Sequence, residues 1–127
     1  SLLFLRQVRH MGRALLKLKS NDTSNQEEFE LAKPVTTIGR SRSADITLQD
    51  TSVSRIHVRL ELRSGQYFVI DNNSSNGTFI NRRKITDSPL RHGDILIVGR
   101  VYFDFVEEMD NQEGGRTATL PTLDADG

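Results

Sequence analysis

IHVRLELR, residues 56–63, decides the fold class because its side chains alternate between apolar and polar at every step. The aliphatic side chains of one face belong to Ile56, Val58, Leu60 and Leu62. The imidazole and charged side chains between them point to the opposite face. This period of two predicts a β-strand with one buried face, because an amphipathic helix needs apolar residues at intervals of three and four.

Short segments of the same kind lie on both sides of this stretch. Ser64-Gly65 predicts a two-residue hairpin turn that leads into QYFVID, residues 66–71. We predict further strands at residues 13–19, 28–31, 78–81, 95–98 and 101–106. Roughly ten short strands with turn signals between them, and no amphipathic helix, predict an all-β sandwich.

The composition of the 127 residues argues against several classes of protein. There is no cysteine, which excludes a disulfide framework, a thiolate zinc site and a cysteine nucleophile. The 17 basic side chains balance 17 acidic ones, which argues against a nucleic-acid partner held by counterion release. No apolar run approaches the ~20 residues of a membrane span, and the start lacks the features of a signal peptide. We expect a cytoplasmic domain without metal ion, cofactor or membrane contact.

Charge and composition divide the chain into parts. Residues 13–106 carry the predicted strands and form the predicted domain. Residues 107–127 hold one arginine and six acidic side chains without periodicity, which predicts an acidic flexible C-terminal tail. Residues 1–12 are interpreted as an N-terminal extension, native or introduced by cloning, because the chain does not begin with Met.

Polar residues concentrate in the loops at residues 39–43, 51–55 and 71–78. These loops offer guanidinium groups for bidentate contact with oxygen atoms, and hydroxyl and amide groups as further donors. Their glycines permit positive φ and let backbone N–H groups approach an anion. An anion site is one interpretation; ordinary turn formation is the other, because Ser, Asn and Gly are common turn residues.

The order of the short motifs in these loops resembles the forkhead-associated (FHA) domain family. Gly39-Arg40 ends a predicted strand, Ser54-Arg55-Ile56-His57 follows, and Ser75-Asn76-Gly77-Thr78 comes next, with Asn81 shortly after. The resemblance covers residues 14–106. It implies an FHA/SMAD-like sandwich of about eleven mostly antiparallel strands with ligand loops at one apex. It also implies a non-catalytic signalling module that binds Thr-phosphorylated proteins downstream of Ser/Thr kinases.

The resemblance also implies a role for individual residues. By motif position, Arg40 and Ser54 contact the phosphate directly, and Arg55 reaches it as well. Ser75 lies near the phosphothreonine, and Asn76 holds the peptide main chain beside it. The residues expected to support the loops rather than contact the ligand are Gly39, His57, Gly77 and Asn81.

Two further segments have open interpretations. Arg82-Arg83-Lys84 is either a solvated hairpin tip or a group in which Arg82 and Arg83 select acidic residues flanking the phosphoresidue. A threonine-rich stretch in the tail, if phosphorylated, would contact the site in cis or in trans at high effective concentration. Its threonines are Thr117, Thr119 and Thr122.

Competing functions follow from the same residues. The main alternative is a phosphate-independent scaffold that docks a partner through another face of the sandwich. An enzyme is disfavoured because His57 has no cysteine and no suitably placed aspartate for a catalytic triad. The aspartates near the turns could suggest a magnesium site, but their positions favour caps and Asx-turns. These aspartates are Asp45, Asp50, Asp71 and Asp94.

Overall fold

The computed structural model describes residues 12–19 and 26–109, and the regular secondary structure of these residues is entirely β. The strands are β1 (Arg13–Leu18), β2 (Glu28–Glu30), β3 (Val35–Gly39), β4 (Ile46–Thr47), β5 (Val58–Arg63), β6 (Gln66–Asp71), β7 (Thr78–Ile80), β8 (Arg83–Lys84), β9 (Asp87–Leu90), β10 (Ile95–Val98) and β11 (Val101–Glu108). The predicted all-β class is therefore confirmed. None of the described residues belongs to an apolar helix of membrane-spanning length.

The strands form two sheets. One has the order β2-β1-β11-β10-β7-β8 and the other has the order β4-β3-β5-β6-β9. β3 and β4 pair in parallel, whereas β3–β5, β5–β6, β6–β9, β1–β2, β7–β8, β7–β10 and β10–β11 pair antiparallel. Both sheets contribute fully buried side chains to one core, for example Leu60 and Val69 from one sheet and Phe103 and Phe105 from the other. Burial of these apolar side chains is the main force that holds the sheets together.

The stretch 56–63 forms a strand over most of its length. Val58 and Leu60 are fully buried, as the alternation predicts. The prediction is wrong at both ends: Ile56 lies in a turn before β5, and Leu62 is 43% exposed beside the following hairpin. The core does not extend to that hairpin, so alternation alone overestimates burial there.

The Ser64-Gly65 hairpin adopts the predicted two-residue turn. Ser64 has φ 50° and Gly65 has φ 80°, so both turn residues lie in the left-handed region. Consecutive positive φ values match the right-handed twist of the flanking strands, which is why such turns join β5 and β6 closely.

Strand register places three loops at the opposite end of the sheet from this hairpin. Val58 at the start of β5 pairs with Ile38 on one side and Asp71 on the other. The loops β3–β4, β4–β5 and β6–β7 therefore leave the sheet at the same end, which we call the apex. Gly39 allows this convergence, because a Cβ there would lie 2.0 Å from the carbonyl oxygen of Arg55.

Ala14–Glu107 forms one compact unit, which includes the apex. Arg13 and Glu108 belong together to a second unit, and their side chains form an ion pair of 3.6 Å. β11 includes Glu107 and Glu108, which the sequence analysis had placed in the tail. The rest of the predicted tail, with its threonines, and residues 1–11 lie outside the described residues.

Candidate phosphate-binding site

The β3–β4 loop is bound to the β4–β5 loop through backbone hydrogen bonds. The Arg40 amide donates to the carbonyl of Ser54 at 3.0 Å, and the Ser41 amide donates to the carbonyl of Arg55 at 3.0 Å. The Arg40 side chain donates through Nε to the carbonyl of Val53 at 2.9 Å. Its terminal guanidinium nitrogens make no hydrogen bond or ion pair within the described residues. Those N–H groups are therefore available to an anion at the apex.

Ser54 connects the β4–β5 loop to the β6–β7 loop. Its hydroxyl oxygen accepts a hydrogen bond from the amide of Ser75 at 3.0 Å. This leaves the hydroxyl hydrogen and the remaining lone pair at the surface, where Ser75 is exposed. The hydroxyl of Ser54 and the side chain of Ser75 thus lie on adjacent loops at one surface.

His57 is fully buried beneath this surface and connects the same two loops. The amide of Ser54 donates to Nδ1 of His57 at 2.9 Å, so this ring nitrogen is the acceptor. The proton of the neutral ring is then on Nε2, which donates to the carbonyl of Gly77 at 2.8 Å. His57 therefore fixes the backbone on both sides of the site and does not face a ligand.

Asp71 orders the β6–β7 loop from its base. Its carboxylate accepts from the amide and hydroxyl of Ser74, at 3.0 and 2.5 Å, and from the hydroxyl of Thr78 at 2.5 Å. The Ser74 hydroxyl in turn accepts from the amide of Gly77 at 3.1 Å. Burial alone would raise the pKa of Asp71, but these hydrogen bonds outweigh it and lower the pKa.

Asn76 is held by the β4–β5 loop. Its Nδ2 donates to the carbonyl of Ser52 at 2.8 Å, and its remaining N–H and its oxygen make no other hydrogen bond within the described residues. Ser52 itself is nearly buried and donates to Asp50 at 2.6 Å while accepting from the amide of Arg100 at 2.9 Å. The β10–β11 turn therefore supports Asn76 indirectly, through Ser52.

Three of the four aspartates at the turns accept hydrogen bonds from nearby loop backbone, as expected, namely Asp50, Asp71 and Asp94; Asp45 does not. Asp50 accepts from the amide and hydroxyl of Ser52, and these bonds lower its pKa. Asp45 accepts from Lys33 and from the amide of Thr37, and its pKa is lowered mainly by Lys33. Asp50 is thus turned toward its own loop, whereas Asp45 is turned toward Lys33 and strand β3. The described residues contain no cluster of acidic and histidine side chains suited to a metal ion.

Asn81, Arg82 and Arg83 do not join the apical network. Asn81 binds Asp94 through Nδ2 at 2.9 Å and accepts from the amide of Ile95, so it supports the β7–β8 hairpin and the turn before β10. This hairpin leaves β7 at the end away from Gly77, because Thr78 begins that strand. The implied loop support by Asn81 is therefore remote from the ligand loops.

Lys84 approaches the apex more closely than the two arginines before it. It pairs with Phe79, whereas Arg83 pairs with Ile80, one step further from Gly77. A Cβ added to Gly77 would lie 3.3 Å from Cε of Lys84, so the lysine side chain lies along this glycine. The sequence places Lys84 in one basic triplet with Arg82 and Arg83, but the triplet alone does not show which side chain turns toward the apex.

Ser52 and Ser74 were not identified from the sequence. Both look like ordinary turn residues, and serine in such loops is common. The signal that could have found them is an aspartate close by in the sequence: Asp50 lies two residues before Ser52, as in an Asx-turn, and Asp71 lies three residues before Ser74. The links from Ser52 to Asn76 and Arg100 join distant segments and leave no local signal.

Comparison with known proteins assigns the family. The FHA domain family model matches residues 36–99. The glycogen accumulation regulator GarA of Mycolicibacterium smegmatis is 34% identical over 107 residues, which covers 84% of this chain and 67% of the relative. The oxoglutarate dehydrogenase inhibitor of Corynebacterium efficiens is 36% identical over 95 residues, covering 75% and 66%.

Solved structures agree with this assignment. A chain from a structural and functional analysis of phosphothreonine-dependent FHA domain interactions matches with a TM-score of 0.67 and 29% identity, over 74% of this chain and 95% of that one. This chain belongs to the FHA domain family, as its motifs indicated. It spans about two thirds of the length of the curated relatives named above. Those relatives are named as a regulator and an inhibitor.

Proposed function

We propose that this chain is a non-catalytic module that binds Thr-phosphorylated proteins or peptides, downstream of a Ser/Thr kinase. The observation that carries the proposal is the meeting of Arg40, Ser54 and Ser75 at the apex through backbone and side-chain hydrogen bonds. Membership in the FHA domain family, and the phosphothreonine-dependent interactions studied for the similar structure, support the same ligand.

The chemistry of the apex suits a phosphate ester. A phosphothreonine carries a charge of about −1.5 to −2 at pH 7 and three strong acceptor oxygens. In this proposal the terminal N–H groups of Arg40 bind two of the oxygens, and the hydroxyl of Ser54 donates to the third. Arg55 adds positive charge, and Ser75 lies beside the esterified side chain. Asn76 then holds the ligand main chain through its remaining amide groups.

Discrimination against unphosphorylated threonine follows from the same contacts. Without the phosphate, Arg40 would lose its anion and the peptide would lose its charge-assisted hydrogen bonds. A short peptide must also lose conformational freedom when it binds, which limits the net affinity. We therefore expect weak to moderate binding that depends strictly on the phosphate.

Substitution of Arg40 tests the proposal. Arg40→Ala should weaken binding of a fluorescent phosphothreonine peptide by about 2–5 kcal/mol, as when one partner of a desolvated charged pair is removed. Fluorescence anisotropy measures the affinity, and circular dichroism checks that the β-rich spectrum is retained. Arg91→Ala is the matched control, because Arg91 also lacks an ion pair within the described residues.

Two results would contradict the proposal. The first is wild-type binding of the unphosphorylated peptide with similar affinity. The second is unchanged binding by Arg40→Ala, which is the result expected of a phosphate-independent scaffold that uses another face.

A further inference from the structure

The β6–β7 loop contains the one asparagine–glycine pair of the chain. Of the seven asparagines in the sequence, only Asn76 is followed by a glycine. This pair is chemically labile, because glycine has no side chain to keep its backbone nitrogen away from the side-chain amide of the asparagine before it. Deamidation at this pair would alter Asn76, the residue that the proposed function assigns to the ligand main chain.

Deamidation of this pair needs no reagent other than water. The backbone nitrogen of Gly77 gives up its proton to solvent and attacks Cγ of Asn76. The bond from Cγ to the side-chain nitrogen breaks, and that nitrogen takes up a proton and leaves as ammonia. Water then opens the resulting cyclic imide at either of its carbonyls, which yields aspartate or isoaspartate at position 76. The net change is one water consumed and one ammonia released.

The folded loop restrains the attacking nitrogen. The amide of Gly77 donates its proton to the hydroxyl of Ser74 at 3.1 Å, and the carbonyl of Gly77 accepts from Nε2 of His57 at 2.8 Å. Ser74 is itself held by Asp71, through its amide at 3.0 Å and its hydroxyl at 2.5 Å. Gly77 is also buried, which limits the access of solvent base to its amide. The nitrogen is therefore unreactive until this loop opens.

The folded loop restrains the amide that is attacked as well. Nδ2 of Asn76 donates to the carbonyl of Ser52 at 2.8 Å, so the side chain is tied to the β4–β5 loop. It must leave this partner before Cγ can fold back over the nitrogen of Gly77. The reaction thus requires the loss of hydrogen bonds on both sides of the bond that forms.

We propose that Asn76–Gly77 is a self-modification site whose deamidation is limited by opening of the β6–β7 loop and ends binding at the apex. The rate at position 76 is then the intrinsic rate of the open loop multiplied by the fraction of time that the loop is open. The same opening frees the Gly77 amide for hydrogen exchange, so both processes respond in parallel. The loss of binding rests on the proposed function, whereas the reaction itself does not.

The product is unsuited to the site for electrostatic reasons. An aspartate at position 76 has no N–H for the carbonyl of Ser52 and turns a carboxylate toward that oxygen. It also places a negative charge beside the phosphate that Arg40 and Ser54 are proposed to bind, and like charges held close together are strongly unfavourable. Isoaspartate carries the same charge and lengthens the backbone of the loop.

The reaction rate tests the first part of the inference. The folded protein and a free peptide with the sequence of residues 72–79 are incubated at mildly alkaline pH, and tandem mass spectrometry locates the product. We expect position 76 to convert at least about 10-fold more slowly in the folded protein. Ser74→Ala should speed conversion by about 3- to 10-fold, because the Gly77 amide loses its acceptor. Ser88→Ala is the matched control, since that hydroxyl donates to Pro89 in β9, and should leave the rate unchanged.

A measurement on the wild-type protein does not depend on the folding of any variant. Urea below the unfolding transition should raise deamidation at Asn76 and hydrogen exchange of the Gly77 amide by the same factor. The inference is wrong if only one of the two rates rises. It is also wrong if the folded protein converts as fast as the peptide, or if neither the wild type nor folded Ser74→Ala has reacted at position 76 once the peptide has fully converted.

Asn76→Asp tests the consequence for binding. This variant should bind a fluorescent phosphothreonine peptide at least about 10-fold more weakly in anisotropy. Asn73→Asp is the matched control: Asn73 is exposed in the same loop and its side chain has no hydrogen bond within the described residues. Its affinity should stay within about 3-fold of the wild type, as for an exposed charge.

The outcomes separate this inference from the proposed function. If Arg40→Ala removes phosphopeptide binding but Asn76→Asp binds like the wild type, the consequence assigned to deamidation is wrong. If phosphorylation of the peptide makes no difference to binding, the proposed function fails, and the rates of deamidation and hydrogen exchange still decide whether the loop controls the reaction.

Discussion

Arg82 occupies a backbone conformation that suits glycine. Asn81 and Arg82 have φ of 51° and 70°, so both residues of the β7–β8 turn are left-handed. Asparagine tolerates this region because its short side chain bonds locally, whereas arginine suffers a close approach of Cβ to the following carbonyl, at about 1–2 kcal/mol. The turn therefore contains one residue that is conformationally unfavourable.

Arg82→Gly should raise the free energy of unfolding by roughly 0.5–1 kcal/mol. The full relief is not gained, because glycine also increases the conformational entropy of the unfolded chain. Urea denaturation monitored by circular dichroism measures the change as a higher midpoint at constant slope. Arg83→Gly is the control and should lower the midpoint, since Arg83 lies within β8. A lower midpoint for Arg82→Gly would show that the turn is not strained.

The roles of some single residues could be predicted from the sequence, but their contacts could not. Gly39 and His57 were expected to support the loops, from a resemblance; the structure gives the physical causes, which are contact with the Arg55 carbonyl and two buried ring hydrogen bonds. For Asn76, only contact with the ligand was expected, and no bond to another loop. Its bond to Ser52 could not be predicted, because it joins loops that only the folded sheet brings together.

At the scale of elements, the β6–β7 loop depends on hydrogen bonds to one carboxylate. Asp71 is the last residue of β6 and holds both ends of the loop, through Ser74 and Thr78. The chain of hydrogen bonds continues from Ser74 to Gly77 and from there to His57. The loop that presents Ser75 and Asn76 therefore has a single charged anchor at its base.

Asp71→Asn should lower the free energy of unfolding by about 1–3 kcal/mol, because hydrogen bonds to a charged acceptor are replaced by weaker or missing ones. It should also weaken phosphopeptide binding, and increase amide hydrogen exchange at Ser75 and Gly77 more than in the β-sheets. Asp104→Asn is the matched control: its exposed ion pair with Lys19 should contribute less than about 1 kcal/mol. Equal effects of the two substitutions would contradict the role of Asp71 as an anchor.

The elements themselves were predictable where one face is buried over several residues. β5 and β10–β11 follow from alternation and from their turn signals. β4 and β8 are strands of two residues, and no periodicity can be detected at that length. They exist because longer neighbouring strands offer them backbone hydrogen bonds, which is information about the fold rather than about the local sequence.

At the scale of the whole molecule, zero net charge conceals an uneven distribution. The sequence shows the numbers of charges, but ion pairs such as Arg63 with Asp87 form between distant residues and decide where positive charge remains. The composition could therefore argue against nucleic acid but could not reveal the unpaired cations of the apex. That distribution required the strand register.

Two separate pH transitions follow from the charges of the molecule and its proposed ligand. The phosphate loses its second charge near pH 6, so binding should weaken as pH falls through about 6. The folded protein should persist at that pH, because the hydrogen-bonded carboxylates of Asp45, Asp50 and Asp71 have pKa values lowered from 3.8. A lowered pKa contributes stability above the unfolded value of 3.8, and this stability is lost as pH falls through the still lower folded values.

Measurement of both properties between pH 2 and 8 tests this separation. Anisotropy should show binding falling near pH 6, and circular dichroism should show unfolding only below about pH 4. A peptide carrying a phosphonate analogue with a higher second pKa serves as the control: its binding transition should move to higher pH if the ligand titrates. A binding transition that stays in place with the phosphonate would assign the titration to the protein, and a flat profile from pH 5 to 7.5 would contradict recognition of the dianion.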